Sequence, residues 1–338
     1  MKRWLVFSLS LLIVLVASFL LSQVPQSDFL VEEHSVGVGP YSYVVWLDEN
    51  QLVLMNTDDS EGKTWAYSDH LQQFDLRTAE LRELNLVSWD KCLNSAELFP
   101  ARLPNGSLGY VFQCQAEPFV HGEQFLMEYD QSSGTNSQLL EYPLPAIGTG
   151  RLAQSWNPDM TVGLSSYGPR FLTEKLYSFT KDGWEILDLP FPLSFAPAWS
   201  PDGTQVAFFA AEREGSIRGP ANRYYLYTMA PTTLEYRKLV NTAFYKVVGV
   251  QWSPDGRWLA FAGQRRPTPL TRREGLWLVN ADTREFYQIA VGEYTITSWS
   301  PDGNYLVSLQ ISDPRQLSNR EVKIFDVEGL LQELQEQP

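Results

Sequence analysis

Histidine is scarce in this chain: His34, His70 and His121 are the whole supply in 338 residues. That narrows the options for histidine-rich metal sites and for imidazole acid–base chemistry. Cysteine is scarcer still, with only Cys92 and Cys114. Basic residues are in deficit, 26 Lys and Arg against 40 Asp and Glu, for a net charge of −14. A surface of that sign repels phosphate backbones, so no nucleic-acid partner is expected. Aromatic residues are not scarce: at 13% of the chain they can bury more surface than a disordered chain does.

Long hydrophobic runs are absent except at the start. Lys2 and Arg3 precede an apolar stretch from Trp4 to Leu21 that only serines interrupt. Its length suits a short spanning helix or a long signal-peptide core, and the basic residues ahead of it keep the N-terminus cytoplasmic. Everything from about Gln23 onward is therefore expected outside the cytoplasm. Val16-Ala17-Ser18 is a passable cleavage site, but no Ala-x-Ala follows the run. An uncleaved anchor through residues 4–21 is preferred to a cleaved signal. In an exported chain, Cys92 and Cys114 are expected to pair.

The strongest internal signal is a repeat. Trp199-Ser200-Pro201-Asp202-Gly203, Trp252-Ser253-Pro254-Asp255-Gly256 and Trp299-Ser300-Pro301-Asp302-Gly303 are copies of one pentapeptide. Degraded copies stand at Trp156-Asn157-Pro158-Asp159-Met160 and Leu103-Pro104-Asn105-Gly106, with a sixth position at Trp46–Asn50. The prolines at 104, 158, 201, 254 and 301 are 54, 43, 53 and 47 residues apart. A period near fifty with short apolar strands around each copy marks a propeller. The expectation is an all-β, six-bladed β-propeller of four-stranded antiparallel blades, preceded by one N-terminal hydrophobic helix. Its parts are residues 1–22 (anchor or signal), 23–36 (linker), 37–328 (propeller) and 329–338 (short tail).

The motif needs no ligand to explain it. Ser-Pro-Asp-Gly suits a type I turn, and the Trp before it is a wedge between neighbouring blades. Trp199, Asp202, Gly203, Trp252, Asp255, Gly256, Trp299, Asp302 and Gly303 are therefore read as structural. The repeated pentapeptide, followed by strands such as Val206-Ala207-Phe208 and Leu259-Ala260-Phe261, resembles the TolB-type β-propeller repeat. The likeness is clear over about residues 195–327 and weaker back to about residue 40. It implies a six-bladed propeller, often a periplasmic or cell-surface binding module. TolB itself carries an α/β domain before its propeller, whereas here only the apolar segment and a short linker precede the first repeat, so no partner is carried over.

The last repeat lacks a fourth strand after Val322–Val327, and an open edge would expose unpaired backbone groups. Residues 29–36 are expected to fill it by pairing with residues 320–327. Long loops are expected between second and third strands, near 56–69, 114–124, 166–174, 211–222, 263–274 and 311–320, all on one face. Such loops on a rigid scaffold are where binding usually resides. Arg265, Arg266, Arg272 and Arg273 crowd one of them, with Arg213, Arg218, Arg315 and Arg320 in its neighbours. This sector could hold an anionic ligand or a protein's carboxylates, or be a solvated loop paired with nearby acids.

Catalytic motifs are incomplete. Gly163-Leu164-Ser165-Ser166-Tyr167 lacks the last glycine of a nucleophile elbow, and Gly62-Lys63-Thr64 lacks the first glycine of a P-loop. Asp58–Trp65 partly echoes a sialidase Asp-box, with Ser60 in place of its central acid. His70 and His121 could approach each other, but no metal or other cofactor is expected. The reading is an exported, membrane-tethered, non-catalytic module that binds a protein or anionic ligand on the long-loop face. The alternative is an extracytoplasmic enzyme, lyase- or hydrolase-like, acting on a carbohydrate or peptide there.

Overall fold

The computed structural model describes residues 33–56, 70–84, 86, 92, 94–115, 122–144, 155–167, 175–212, 223–268, 271–311 and 319–336. The apolar run at 4–21 lies outside them, so the expected N-terminal helix is not among the described elements. No helix of the described residues is long and apolar enough to cross a membrane.

The described chain is almost entirely antiparallel β-structure. After β1 (Glu33–Gly39), one sheet runs β2 (Tyr41–Asp48), β3 (Gln51–Asn56), β4 (His70–Asp75) and β5 (Glu80–Glu83). The next is β6 (Asn94–Arg102), β7 (Leu108–Gln115), β8 (Glu123–Asp130) and β9 (Thr135–Gln138). The third is β10 (Ser155–Trp156), β11 (Gly163–Tyr167), β12 (Lys175–Thr180) and β13 (Gly183–Ile186). Then follow β14 (Leu193–Trp199), β15 (Val206–Ala211), β16 (Tyr224–Met229) and β17 (Tyr236–Lys238). These are joined in one eight-stranded sheet to β18 (Phe244–Trp252), β19 (Trp258–Thr268), β20 (Thr271–Asn280) and β21 (Phe286–Val291). The last sheet is β22 (Tyr294–Trp299), β23 (Tyr305–Gln310) and β24 (Arg320–Asp326), with β1 on its outer edge.

This is a β-propeller, but the count of free-standing blades differs from the six expected. Four sheets have four strands each, and the remaining eight strands form one sheet. The physical reason is local. β17 covers only Tyr227, Thr228 and Met229 of β16, which leaves the Tyr224 end of that strand open. Phe244, fully buried at the start of β18, pairs with Tyr224 there. One residue pair thus joins two repeat units.

Strand burial follows position in each sheet. β15, Val-Ala-Phe-Phe-Ala-Ala, is buried at every residue because a neighbouring sheet covers each face. The outer strand β5, Glu-Leu-Arg-Glu, is exposed throughout. Between the two halves of the long sheet, Phe261 packs edge-on at 5.0 Å from Phe209 and 4.9 Å from Phe244.

The chain ends meet. β1 runs antiparallel to β24, with Glu33 opposite Phe325 and Gly39 opposite Arg320. The pairing strand thus lies slightly later than the 29–36 segment named for it. The tail forms helix α1 (Glu328–Glu336), whose first amide donates to Asp326 Oδ1 at 3.2 Å and whose Leu330 is buried.

The motifs form an inter-sheet clasp. In each full copy the Gly amide donates to the Ser carbonyl at 2.9–3.0 Å, closing the turn. The Asp carboxylate accepts from the Ser hydroxyl, as at 2.6 Å for Asp202, and from the amide two residues on. The glycines adopt φ of +72°, +72° and +79°, and a Cβ on Gly203 would meet Pro158 of the preceding motif at 2.9 Å. Trp252 Nε1 donates to the Ala198 carbonyl at 3.0 Å, and Trp299 Nε1 to the Gln251 carbonyl at 3.3 Å. Each of these indoles ties its strand to the inner strand of the unit before it.

Candidate functional site

Six strands, β2, β6, β10, β14, β18 and β22, line one central cavity of about 770 Å³. Their inward residues are mostly small or apolar, which leaves the axis of the ring open. Three inner strands bend at the same motif-relative position, five residues before the turn proline. Phe99, Ala196 and Gly249 stand there with φ of 53°, 53° and 63°, at register breaks in β6, β14 and β18. The freed amides are used between sheets: Phe99 N–H donates to Met55 Sδ at 3.3 Å and Ala196 N–H to Ser166 Oγ at 3.3 Å. Left-handed backbone at Phe99 and Ala196 is strained, and it faces the cavity.

The two ends of the cavity differ. Trp156, Pro158, Trp199, Pro201, Trp252 and Pro254 surround the end where the turns lie. Strand starts and connectors surround the other end, with Tyr224, Tyr245, Lys246, Glu293, Tyr294 and Arg320. The charged residues of the lining are Arg102, Lys246, Arg320 and Glu293. Lys246 engages Glu293 and lies 3.4 Å from Glu274. Arg320 donates to the Ser42 carbonyl at 3.2 Å, and Arg102 to the Leu47 carbonyl at 3.1 Å. Burial pushes the Arg102 guanidinium below its usual value, opposed by the charge of Asp48. Of these lining charges only Arg320 was named from the sequence, as one of the loop arginines. For Arg102, Lys246 and Glu293 the signal was the distance from the motif proline, which locates the start and end of each inner strand.

The arginine sector is partly assembled. Residues 263–268 and 271–274 are not a loop but a continuation of the β19–β20 ladder, paired to Thr268↔Thr271. They extend a strand whose Pro267 sits at a register break. Arg265 stands directly opposite Arg273. Arg266 and Arg272 occupy β19 and β20, but their side chains lie outside the described residues, as do Arg218 and Arg315 altogether.

Cys92 and Cys114 form a disulfide with a Cα–Cα distance of 5.3 Å, pinning the connector before β6 to the end of β7. His70 Nε2 lies 3.2 Å from Glu83 Oε2 on the outer strands β4 and β5, not in the cavity. His121 lies outside the described residues. Among the described residues, no group of three or more His, Cys, Asp or Glu side chains gathers to hold a metal.

No family model matches the sequence. No curated protein matches it either. Solved structures do resemble it. TolB from Acinetobacter baumannii is 15% identical, with a TM-score of 0.54 over 88% of this chain and 64% of that one. This chain thus spans just under two thirds of that TolB. The oligogalacturonate lyase of Vibrio parahaemolyticus is 13% identical, with a TM-score of 0.50 over 89% of this chain and 95% of that one. An oligogalacturonate lyase in complex with manganese gives 13% and 0.51, over 90% and 96%. At these identities the likeness is one of fold, a TolB-like β-propeller.

Proposed function

We propose that this chain is an exported, membrane-tethered propeller that binds a protein or an anionic ligand at the connector end of its central cavity, without catalysis. The carrying observation is the make-up of that end. Tyr224, Tyr245 and Tyr294 supply aromatic surface, Lys246 and Arg320 supply positive charge, and Glu293 is engaged by Lys246. Aromatic and cationic groups around an open cavity on a rigid ring suit recognition of an anionic group. The Cys92–Cys114 disulfide supports a location outside the cytoplasm, and the apolar run at 4–21 supports the tether. In the same reading the eight-stranded sheet counts as two blades joined at Tyr224 and Phe244, which makes six.

The test is capture from a cross-linked cell envelope by the full-length tagged chain, at low and high salt. A discrete partner held at low salt, released at high salt and lost in Lys246→Glu/Arg320→Glu is expected. An identical captured set with the double variant sinks the reading.

A second reading is an enzyme that works on an acidic carbohydrate inside the cavity. Its support is the cavity volume, which accommodates several sugar rings, and the strained backbone at Phe99 and Ala196 on its wall. Depolymerisation of a uronic-acid polymer, abolished by blocking the cavity with Ala196→Trp, would favour it.

A further inference from the structure

The join between the two halves of the eight-stranded sheet creates a row of paired residues that crosses four strands. Arg273 on β20 stands opposite Arg265 on β19, Arg265 opposite Phe244 on β18, and Phe244 opposite Tyr224 on β16. Directly paired residues of antiparallel strands project to the same side, with their Cβ atoms about 5 Å apart. Two arginines so placed repel each other, and an arginine does not relieve this by losing its proton.

Nothing described nearby neutralises them. Neither Arg265 nor Arg273 has a carboxylate partner among the described residues. Glu274, the next residue along, is committed to other groups: it accepts from Gln264 Nε2 at 3.3 Å and from Lys246 Nζ at 3.4 Å. Glu212, on the β15 side of the join, is taken by Lys238 and by the Tyr227 hydroxyl at 2.8 Å. Arg223, exposed beside Tyr224, adds further positive charge. The Arg265 guanidinium is half-buried and held 5.0 Å from the Phe286 ring, which orients it. Burial and the neighbouring Arg273 both disfavour its charge. A pair of arginines without a carboxylate partner, of which Arg265 is partly desolvated and aromatic-backed, is costly alone and is relieved by an anion with two or more oxygens.

We propose that Arg265 and Arg273 form a clamp for an oxyanion, a carboxylate or phosphate group, at the seam between β16 and β18. This rests on the binding-module reading and names the chemistry that its ligand presents. The oxyanion comes either from a small molecule or from the acidic side chains of a protein.

The full-length chain in detergent is titrated with inorganic phosphate and, separately, with an N-acetylated, C-amidated hexaglutamate peptide, at constant ionic strength held with chloride. Binding is read by calorimetry and by the thermal midpoint. Saturable binding of either probe is expected, weakened about 10- to 100-fold in Arg265→Gln and in Arg273→Gln. Arg273→Lys should recover part of it, and Arg257→Gln, on an exposed turn, should match the unchanged chain. Phosphate binding points to a small-molecule source, and binding of the peptide alone to a protein's acids. Without any anion, Arg273→Gln should melt no lower than the unchanged chain, because it removes a like-charge pair. Absence of binding by both probes, or equal binding in both Gln variants, overturns the clamp. Should the clamp fail while the envelope capture succeeds, the module binds by other groups. Should the capture fail while phosphate binds at these arginines, the clamp stands without a protein partner.

Discussion

Replacing each motif tryptophan by phenylalanine separates the part of the clasp that is hydrogen bond from the part that is packing. The three full motifs place the indole differently. Trp252 donates to the buried Ala198 carbonyl at 3.0 Å, and Trp299 to the Gln251 carbonyl at 3.3 Å. Trp199 Nε1 is buried with no acceptor among the described residues. All three changes remove a similar slice of ring, which costs about 1 kcal/mol of burial. Trp252→Phe also removes a buried hydrogen bond to a ladder-paired carbonyl, for about 0.5–1.5 kcal/mol more, giving about 2 kcal/mol in all. Trp199→Phe instead removes an unsatisfied donor, so gain and loss nearly cancel and the net lies within about 1 kcal/mol of zero. Trp299→Phe falls between them. Urea unfolding followed by far-ultraviolet circular dichroism measures all three without relying on tryptophan emission. If Trp199→Phe destabilises as much as Trp252→Phe, the inter-unit hydrogen bond is not what the motif tryptophan contributes.

Reducing the Cys92–Cys114 bond, which closes a loop across a sequence separation of 22, should cost about 3 kcal/mol. A thermal midpoint unchanged by reductant, or by Cys92→Ser/Cys114→Ser, would contradict that. Asp202 is held below the usual carboxylate range, first by the Ser200 hydroxyl and then by the Thr204 amide. Because its folded pKa lies below its unfolded one, its stabilisation is present above pH of about 4 and is lost as pH falls through the folded value. Asp202→Asn should therefore show a shallower loss of stability between pH 5 and 2 than the unchanged chain, measured by urea midpoints. Ala196 has φ of 53° whereas Ala198, two residues on, is not in that region. Ala196→Gly is expected to be neutral or stabilising by up to about 1 kcal/mol, while Ala198→Gly should lose about 1 kcal/mol. Equal effects in the two unfolding curves would remove the claim of strain on the cavity wall.

The propeller was legible because its repeat records contacts between units. Proline and glycine recur where the glycine of one turn rests on the proline of the turn before, and tryptophan recurs where an indole reaches the preceding strand. The fusion of two units was not legible, since it depends on β17 being only three residues long, and strand ends are set by tertiary pairing. The arginine hairpin was misread for a related reason: a run of Arg, Thr and Pro looks like a loop, yet its backbone continues a ladder begun by buried residues. Arg265 and Arg273 were noticed as charge, but their direct opposition is a matter of register. The cavity charges Lys246 and Glu293 were hidden because one comes from β18 and the other from the connector before β22, and Arg320, noticed as a loop charge, reaches the cavity from the start of β24.

The union of β1 with β24 also governs the order of events as the chain folds. Strand β1 precedes every other described strand, yet its partner residues, 320–325, lie in β24, the last of them. Each of the other sheets draws its strands from one stretch of sequence and can assemble as that stretch emerges. The last sheet cannot, so the first strand waits unpaired through the synthesis of all the others. The entropy of closing so large a loop rises only with the logarithm of its length, so the delay costs more in time than in stability. A chain halted before residue 320 therefore carries two sticky edges, one at each end of an open arc, until the last strand arrives to seal it.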